Sequence, residues 1–139
     1  MTHLTCVMTA VLLAAVAPAR ADNAADPLLA EMGAQTYQQH CAACHGRGGR
    51  GDGPAAAALE TPAPDLTRIA ARRNGIFPAG EIAKTIDGRF HIPAHGSREM
   101  PVWGEHFGIG ISETELSESI TRGKIATLVE YLKWIQTSE

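Results

Sequence analysis

Cys41-Ala42-Ala43-Cys44-His45 sets two thiols three positions apart with an imidazole directly behind the second. On a helical turn, residues spaced by three and four share one side, so both sulfurs and the ring can face the same object. This C-x-x-C-H pattern is the attachment sequence for c-type haem. Each thiol adds to one porphyrin vinyl group, and His45 then presents a ring nitrogen to the iron. A structural zinc would need about two more Cys or His ligands at matching spacing, and no second C-x-x-C exists. A thioredoxin-like redox pair belongs in a βαβ pattern, which is absent here. A plain disulfide leaves His45 without a task.

Haem iron of this type usually takes a second axial ligand opposite the histidine. Met100 lies downstream in Arg98-Glu99-Met100-Pro101-Val102-Trp103-Gly104, a stretch rich in turn-formers. Pro101 stiffens the chain just after the sulfur, which suits a loop that holds a ligand in place. Met32 sits in the helix leading into the cysteine motif and reads as a packing residue. His91, His95 and His106 occupy the same region as Met100 and are the alternative sixth ligands. An open sixth position is the remaining possibility.

The elements that must position these groups read as helices. Between Pro27 and His40 the residues Leu29, Gly33, Tyr37, His40 and Cys44 recur at helical spacing. Gly33 is where a second helix could approach closely. Near the other end, Ser112-Glu113-Thr114-Glu115 is a capping-box signature. After it, Ile125, Leu128, Val129, Leu132 and Ile135 form an apolar stripe ending near Gln136. Laid across Gly33 and Tyr37, that stripe would be buried, with Tyr131 at the crossing. Shorter helices are expected at Asp65 to Arg72 and Ala79 to Asp87, and a helical turn at Ala55 to Ala58. No segment alternates in the manner of a strand, so the expected class is all-α. Gly46-Arg47-Gly48-Gly49-Arg50-Gly51 satisfies G-x-G-x-x-G, yet it follows a helix and runs into Asp52-Gly53-Pro54, so it reads as a tight turn. His40 reads as a solvated side chain, and Trp103 as either cofactor packing or core.

The chain has 139 residues, 19% of them charged, with a formal net charge of −3. That is one domain's worth of chain, and the acidic balance argues against a general nucleic-acid binder. Aromatic residues supply only 5% of the sequence, thin for an unaided core and consistent with a non-protein one. Residues 1–21 read as a secretory leader: an apolar run from Cys6 to Ala17, then Ala19-Arg20-Ala21 as a small-x-small cleavage site. The run is short for a bilayer span of about 20 residues. Residues 22–139 are then one domain, exported to the periplasm, with an uncleaved leader as an alternative anchor.

Taken together, these motifs resemble the class I monohaem cytochromes c from about Pro27 to Gln136. The resemblance is carried by Gly33-x-x-x-Tyr37, Cys41-Ala42-Ala43-Cys44-His45-Gly46 and Gly51-Asp52-Gly53-Pro54. Met100-Pro101-Val102-Trp103-Gly104 and Leu128-Val129-Glu130-Tyr131-Leu132 complete it. It is greatest to small bacterial electron carriers and to cytochrome domains attached to haem–copper oxidases. It implies four to five helices around one covalent haem c, and a Pro54 carbonyl accepting the Nδ1 proton of His45. With His45 and Met100 filling both axial positions, the iron would exchange electrons and bind no substrate. The expected function is therefore a monomeric electron shuttle and not an enzyme. Its partners would be redox proteins such as a terminal oxidase, a dehydrogenase or a cytochrome complex, with no nucleic acid. Alternatives are a gas sensor or small peroxidase with an open sixth position, and an electron-delivering subunit of a larger complex. Arg47, Arg50, Arg89 and Arg98 are expected to form a basic rim for docking, while Glu113, Glu115 and Glu118 cluster later.

Overall fold

In the computed structural model, residues 23–89 and 100–137 are described. They form five α-helices with three 3-10 turns between the second and third, and no strand among the described residues. Helix α1 spans Pro27–His40, α2 Ala42–His45, α3 Ala79–Asp87, α4 Trp103–His106 and α5 Thr114–Trp134. The 3-10 turns are Ala56–Ala58, Leu66–Arg68 and Ala71–Arg73. The all-α class is borne out.

The α1 start is encoded locally. The Asp26 carboxylate accepts from the Leu28 and Leu29 amides at 2.9 and 3.1 Å, and Pro27 occupies the first helical position. The Asp26 amide in turn donates to Glu130 on α5 at 2.9 Å, so the beginning of one helix is tied to the last turns of the other.

The α1–α5 crossing is the most extensive helix contact in the fold. At its centre a Cβ built on Gly33 would collide with the carbonyl oxygen of Thr127 and the Cβ of Tyr131. Two backbones therefore touch at the one residue that has no side chain. Tyr37 and Tyr131 pack beside the contact with ring centres 4.9 Å apart. Leu128, Val129 and Leu132 of the expected stripe are buried there, as is Ile125. The crossing matches the sequence reading, including Tyr131.

Three local expectations give way. The stretch from Asp65 to Arg72 is a pair of 3-10 turns instead of one helix. The Asp65 carboxylate caps the first at Thr67, while Gln136, beyond the end of α5, accepts from the Ala70 amide and donates to the Leu66 carbonyl. These bonds hold the backbone in place of a helical ladder. The Ser112 capping box is not formed: α5 starts at Thr114, after Glu113, with no side-chain cap bond. Met32 is exposed instead of packed.

The Asp87 carboxylate, at the end of α3, takes a two-pronged contact from Arg89 at 2.7 and 2.9 Å. Arg89 also reaches Glu118 of α5 at 2.5 Å. The guanidinium hydrogen bonds hold the Asp87 carboxyl below its ordinary pKa, against the opposing effect of burial. The expected basic rim thus loses Arg89, whose charge is matched by two carboxylates. Arg98 lies outside the described residues.

Gly33→Ala is expected to destabilise the protein by about 1–3 kcal/mol, because the added methyl meets rigid backbone and any gain in helix propensity is smaller. Denaturant unfolding measures it. A depressed Asp87 pKa contributes stability that is present above the unfolded value, about 3.9, and lost as pH falls through the lower folded value. Asp87→Asn should therefore flatten the acid limb of the stability profile, comparing melting at about pH 3 and about pH 6.

Candidate haem-binding site

Helix α1 ends at His40, and the chain takes a new helical turn at once. Cys41 is the junction: its amide bonds back to Tyr37, and its carbonyl accepts from the His45 amide at 2.9 Å. This single turn sets Cys41, Cys44 and His45 along the wall of one cavity of about 250 Å³. Both cysteines are free thiols, so no disulfide occupies the pair. Burial, with the neighbouring Cys44, pushes the Cys41 pKa up to about 11. A thiol so far above neutrality lacks the depressed pKa of a redox-active pair. No group of three or more His, Cys, Asp or Glu able to hold a metal ion occurs among the described residues.

Burial lowers the His45 pKa, so the ring is favoured in its neutral form, the state in which imidazole binds a metal. Its Nδ1 atom is buried without a hydrogen-bond partner. The backbone group that acts on the ring, partly opposing desolvation, is that of Pro64. The Pro54 assignment is therefore corrected. Pro54 is exposed and does not line the cavity, whereas Pro64 does. The cause is the route of the chain: the Gly53 and Ala55 amides bond to the carbonyls of Cys44 and Ala43, which draws that segment back along α2. Only after the 3-10 turn at Ala56–Ala58 does the chain return to the cavity. The available sequence signal was Pro64 directly before Asp65, the residue that caps the next turn.

The glycine segment is the expected turn. Gly46, Gly49 and Gly51 all have positive φ, where L side chains are disfavoured. The buried Tyr37 hydroxyl donates to the Gly46 carbonyl at 2.8 Å, and the Gly51 amide bonds to the His45 carbonyl at 2.8 Å. The residue after the histidine is thereby fastened to the helix crossing.

Met100, Pro101 and Trp103 also line the cavity, so a thioether and the His45 imidazole border the same space. His106 is exposed, with Nδ1 at 3.1 Å from the Val102 carbonyl, and it is not part of the lining. His91 and His95 lie outside the described residues. Trp103 has both expected roles: it lines the cavity and stacks on buried Phe107 at 5.5 Å. His40 is exposed yet not simply solvated. It meets Trp103 and Phe107 edge-on at 5.2 and 5.4 Å, and desolvation and nearby Lys124 lower its pKa.

The family model for Cytochrome c matches residues 30–136. The chain belongs to the cytochrome c family. No curated protein and no solved structure matches it. A cytochrome c domain carries covalently bound haem c with its iron, and the chain is a haem-based electron-transfer protein of that family. Cytochromes c generally transfer electrons without enzymatic turnover and meet redox proteins as partners. The residues present fit the group: two free thiols, a neutral buried imidazole with an unpaired nitrogen, and apolar walls from Ile69, Ile86, Leu128 and Leu132.

Replacing both Cys41 and Cys44 by Ala should yield haem that acidified organic solvent extracts, whereas the wild type keeps it through denaturing electrophoresis with peroxidase staining. Tyr37→Phe removes the bond to the Gly46 carbonyl, which keeps its bond from the Gly49 amide, and should cost about 0.5–1.5 kcal/mol in denaturant unfolding.

Proposed function

We propose that the mature chain is a soluble periplasmic carrier of single electrons, with His45 and Met100 as the axial ligands of its iron. Bound haem c supplies a reversible one-electron ferric/ferrous couple. The chain's own residues do the rest. Cys41 and Cys44 tether the ring by thioethers. His45 would donate a ring nitrogen to the iron, with the Pro64 backbone acting on the ring, and such a neighbour helps fix ring orientation and basicity. Met100 supplies thioether sulfur, which favours the reduced iron and raises the potential.

The observation that carries the ligand choice is that Met100 borders the cavity wall shared with His45, while His106 is exposed and does not line it. If His45 and Met100 both hold the iron, exogenous ligands would have no place to coordinate, and outer-sphere transfer would be the chemistry that remains. The leader-like residues 1–21 support export and cleavage before Asp22. The described residues contain no helix long and apolar enough to cross a membrane. Exposed Arg47 and Arg50, on the turn beyond His45, are the basic groups of the expected rim left for steering an acidic partner among the described residues.

Optical spectra of the ferric holoprotein should show the weak far-red band of sulfur ligation, and Met100→Ala should abolish it. The ferrous wild type should resist carbon monoxide at neutral pH, whereas Met100→Ala should bind it quickly. Survival of the band in that variant would sink the ligand assignment. Intact mass and cell fractionation should give a periplasmic chain beginning at Asp22.

A further inference from the structure

The segment 90–99 leads from Arg89 to Met100. Its two flanks meet. A Cβ built on Gly88 would lie 3.3 Å from the Val102 Cα, and one built on Gly104 would collide with Asp87 Oδ1 and Arg89 Nε. The end of α3 and the start of α4 are thus in direct contact on either side of the methionine segment. What stands at the contact is a charged cluster. Arg89 donates to both oxygens of Asp87, through Nε and a terminal nitrogen, and its own amide donates to the same carboxylate at 3.2 Å. The second terminal nitrogen reaches Glu118 on α5. Asp87 is 9% exposed, so its charge depends on that fork.

We infer that Asp87, Arg89 and Glu118 form a clamp that positions Met100 as an iron ligand, by holding the end of α3 against Val102 and Gly104, the base on which Met100 stands, and tying that base to α5. The inference rests on the reading of Met100 as the sixth ligand. The physical reason is one of leverage. Met100 stands two residues before Val102, the point where the returning chain packs on Gly88, so motion of that base moves the sulfur. Gly104 is required because α4 lies directly against the forked carboxylate. None of the three charged residues lines the cavity, so each acts through position and not by touching the haem. Arg89 is suited to this as no lysine would be, since its planar guanidinium serves two carboxylates at once.

The test measures displacement of the sixth ligand in ferric holoprotein by cyanide, beside the far-red band and the melting midpoint. Asp87→Asn should accelerate displacement about tenfold, as supporting residues around a metal site commonly do when removed. Glu118→Gln should act in the same direction but less, because the Asp87 fork remains. Arg89→Lys should resemble Asp87→Asn. Val129→Ala, about three turns further along α5 in the apolar core, is the control for general softening. It should lower the midpoint and leave displacement unchanged. Unchanged displacement in Asp87→Asn and Arg89→Lys overturns the clamp, and so does equal acceleration in Val129→Ala at a matched midpoint. If Asp87→Asn does not accumulate as holoprotein, Glu118→Gln decides, since it leaves the buried pair intact. The two readings separate cleanly: a far-red band lost in Met100→Ala but unmoved displacement in the clamp variants removes the clamp alone. A band that persists in Met100→Ala removes the ligand assignment and the clamp with it.

Discussion

The meeting of Gly33 with the Thr127 carbonyl is the contact on which the other parts depend. Helix pairs ordinarily stand 8–10 Å apart according to the side chains between them. Here a missing side chain lets two backbones touch, and everything near the crossing is set by that approach. Tyr37, packed beside the crossing on Tyr131, donates to the Gly46 carbonyl in the turn that follows α2. The Gly46 bond then fixes the turn behind His45, and Leu128 and Leu132 of the same stripe continue into the cavity wall. One packing choice therefore orients the proximal imidazole and shapes the apolar surface in front of it.

The same residues explain why so few aromatic side chains suffice. Tyr37, Leu128 and Leu132 belong both to the core and to the lining of the haem cavity. Apolar surface that other domains bury against phenylalanine lines the cavity here, where the porphyrin would cover it. This makes cofactor and core one continuous body, and it accounts for the partly buried Ile82, Met100 and Trp103 around its edge.

What was legible in the sequence is what local periodicity or a fixed chemical spacing encodes. Cys41, Cys44 and His45 share one helical turn by their spacing alone, and the Gly33 and Tyr37 rhythm announced a crossing with Tyr131. The all-α class followed from the same patterns. Loop travel was not legible. Pro54 was the nearer proline to His45, but bonds from its neighbours to Ala43 and Cys44 turn it outward, and the excursion ends with Pro64 at the cavity. The turns at Leu66–Arg68 and Ala71–Arg73 depend on Gln136, about seventy residues away, which no local window contains. Arg89 offered a free positive charge in the sequence, and its two carboxylate partners are revealed only by the packing of α3 on α5. His40 likewise drew its aromatic neighbours from α4 and the residue after it.

The bond between Asp26 and Glu130 joins residues 104 positions apart, and Thr137 bonds to the Thr67 carbonyl across another long separation. Such distant pairings carry the loop-closure cost of most of the chain, so closure depends on its last helix. Until α5 docks, α1 has nothing to cross, and the cavity beside Cys41 and Cys44 lacks the wall formed by Leu128 and Leu132. Docking of the last helix is therefore the step that encloses the two sulfurs.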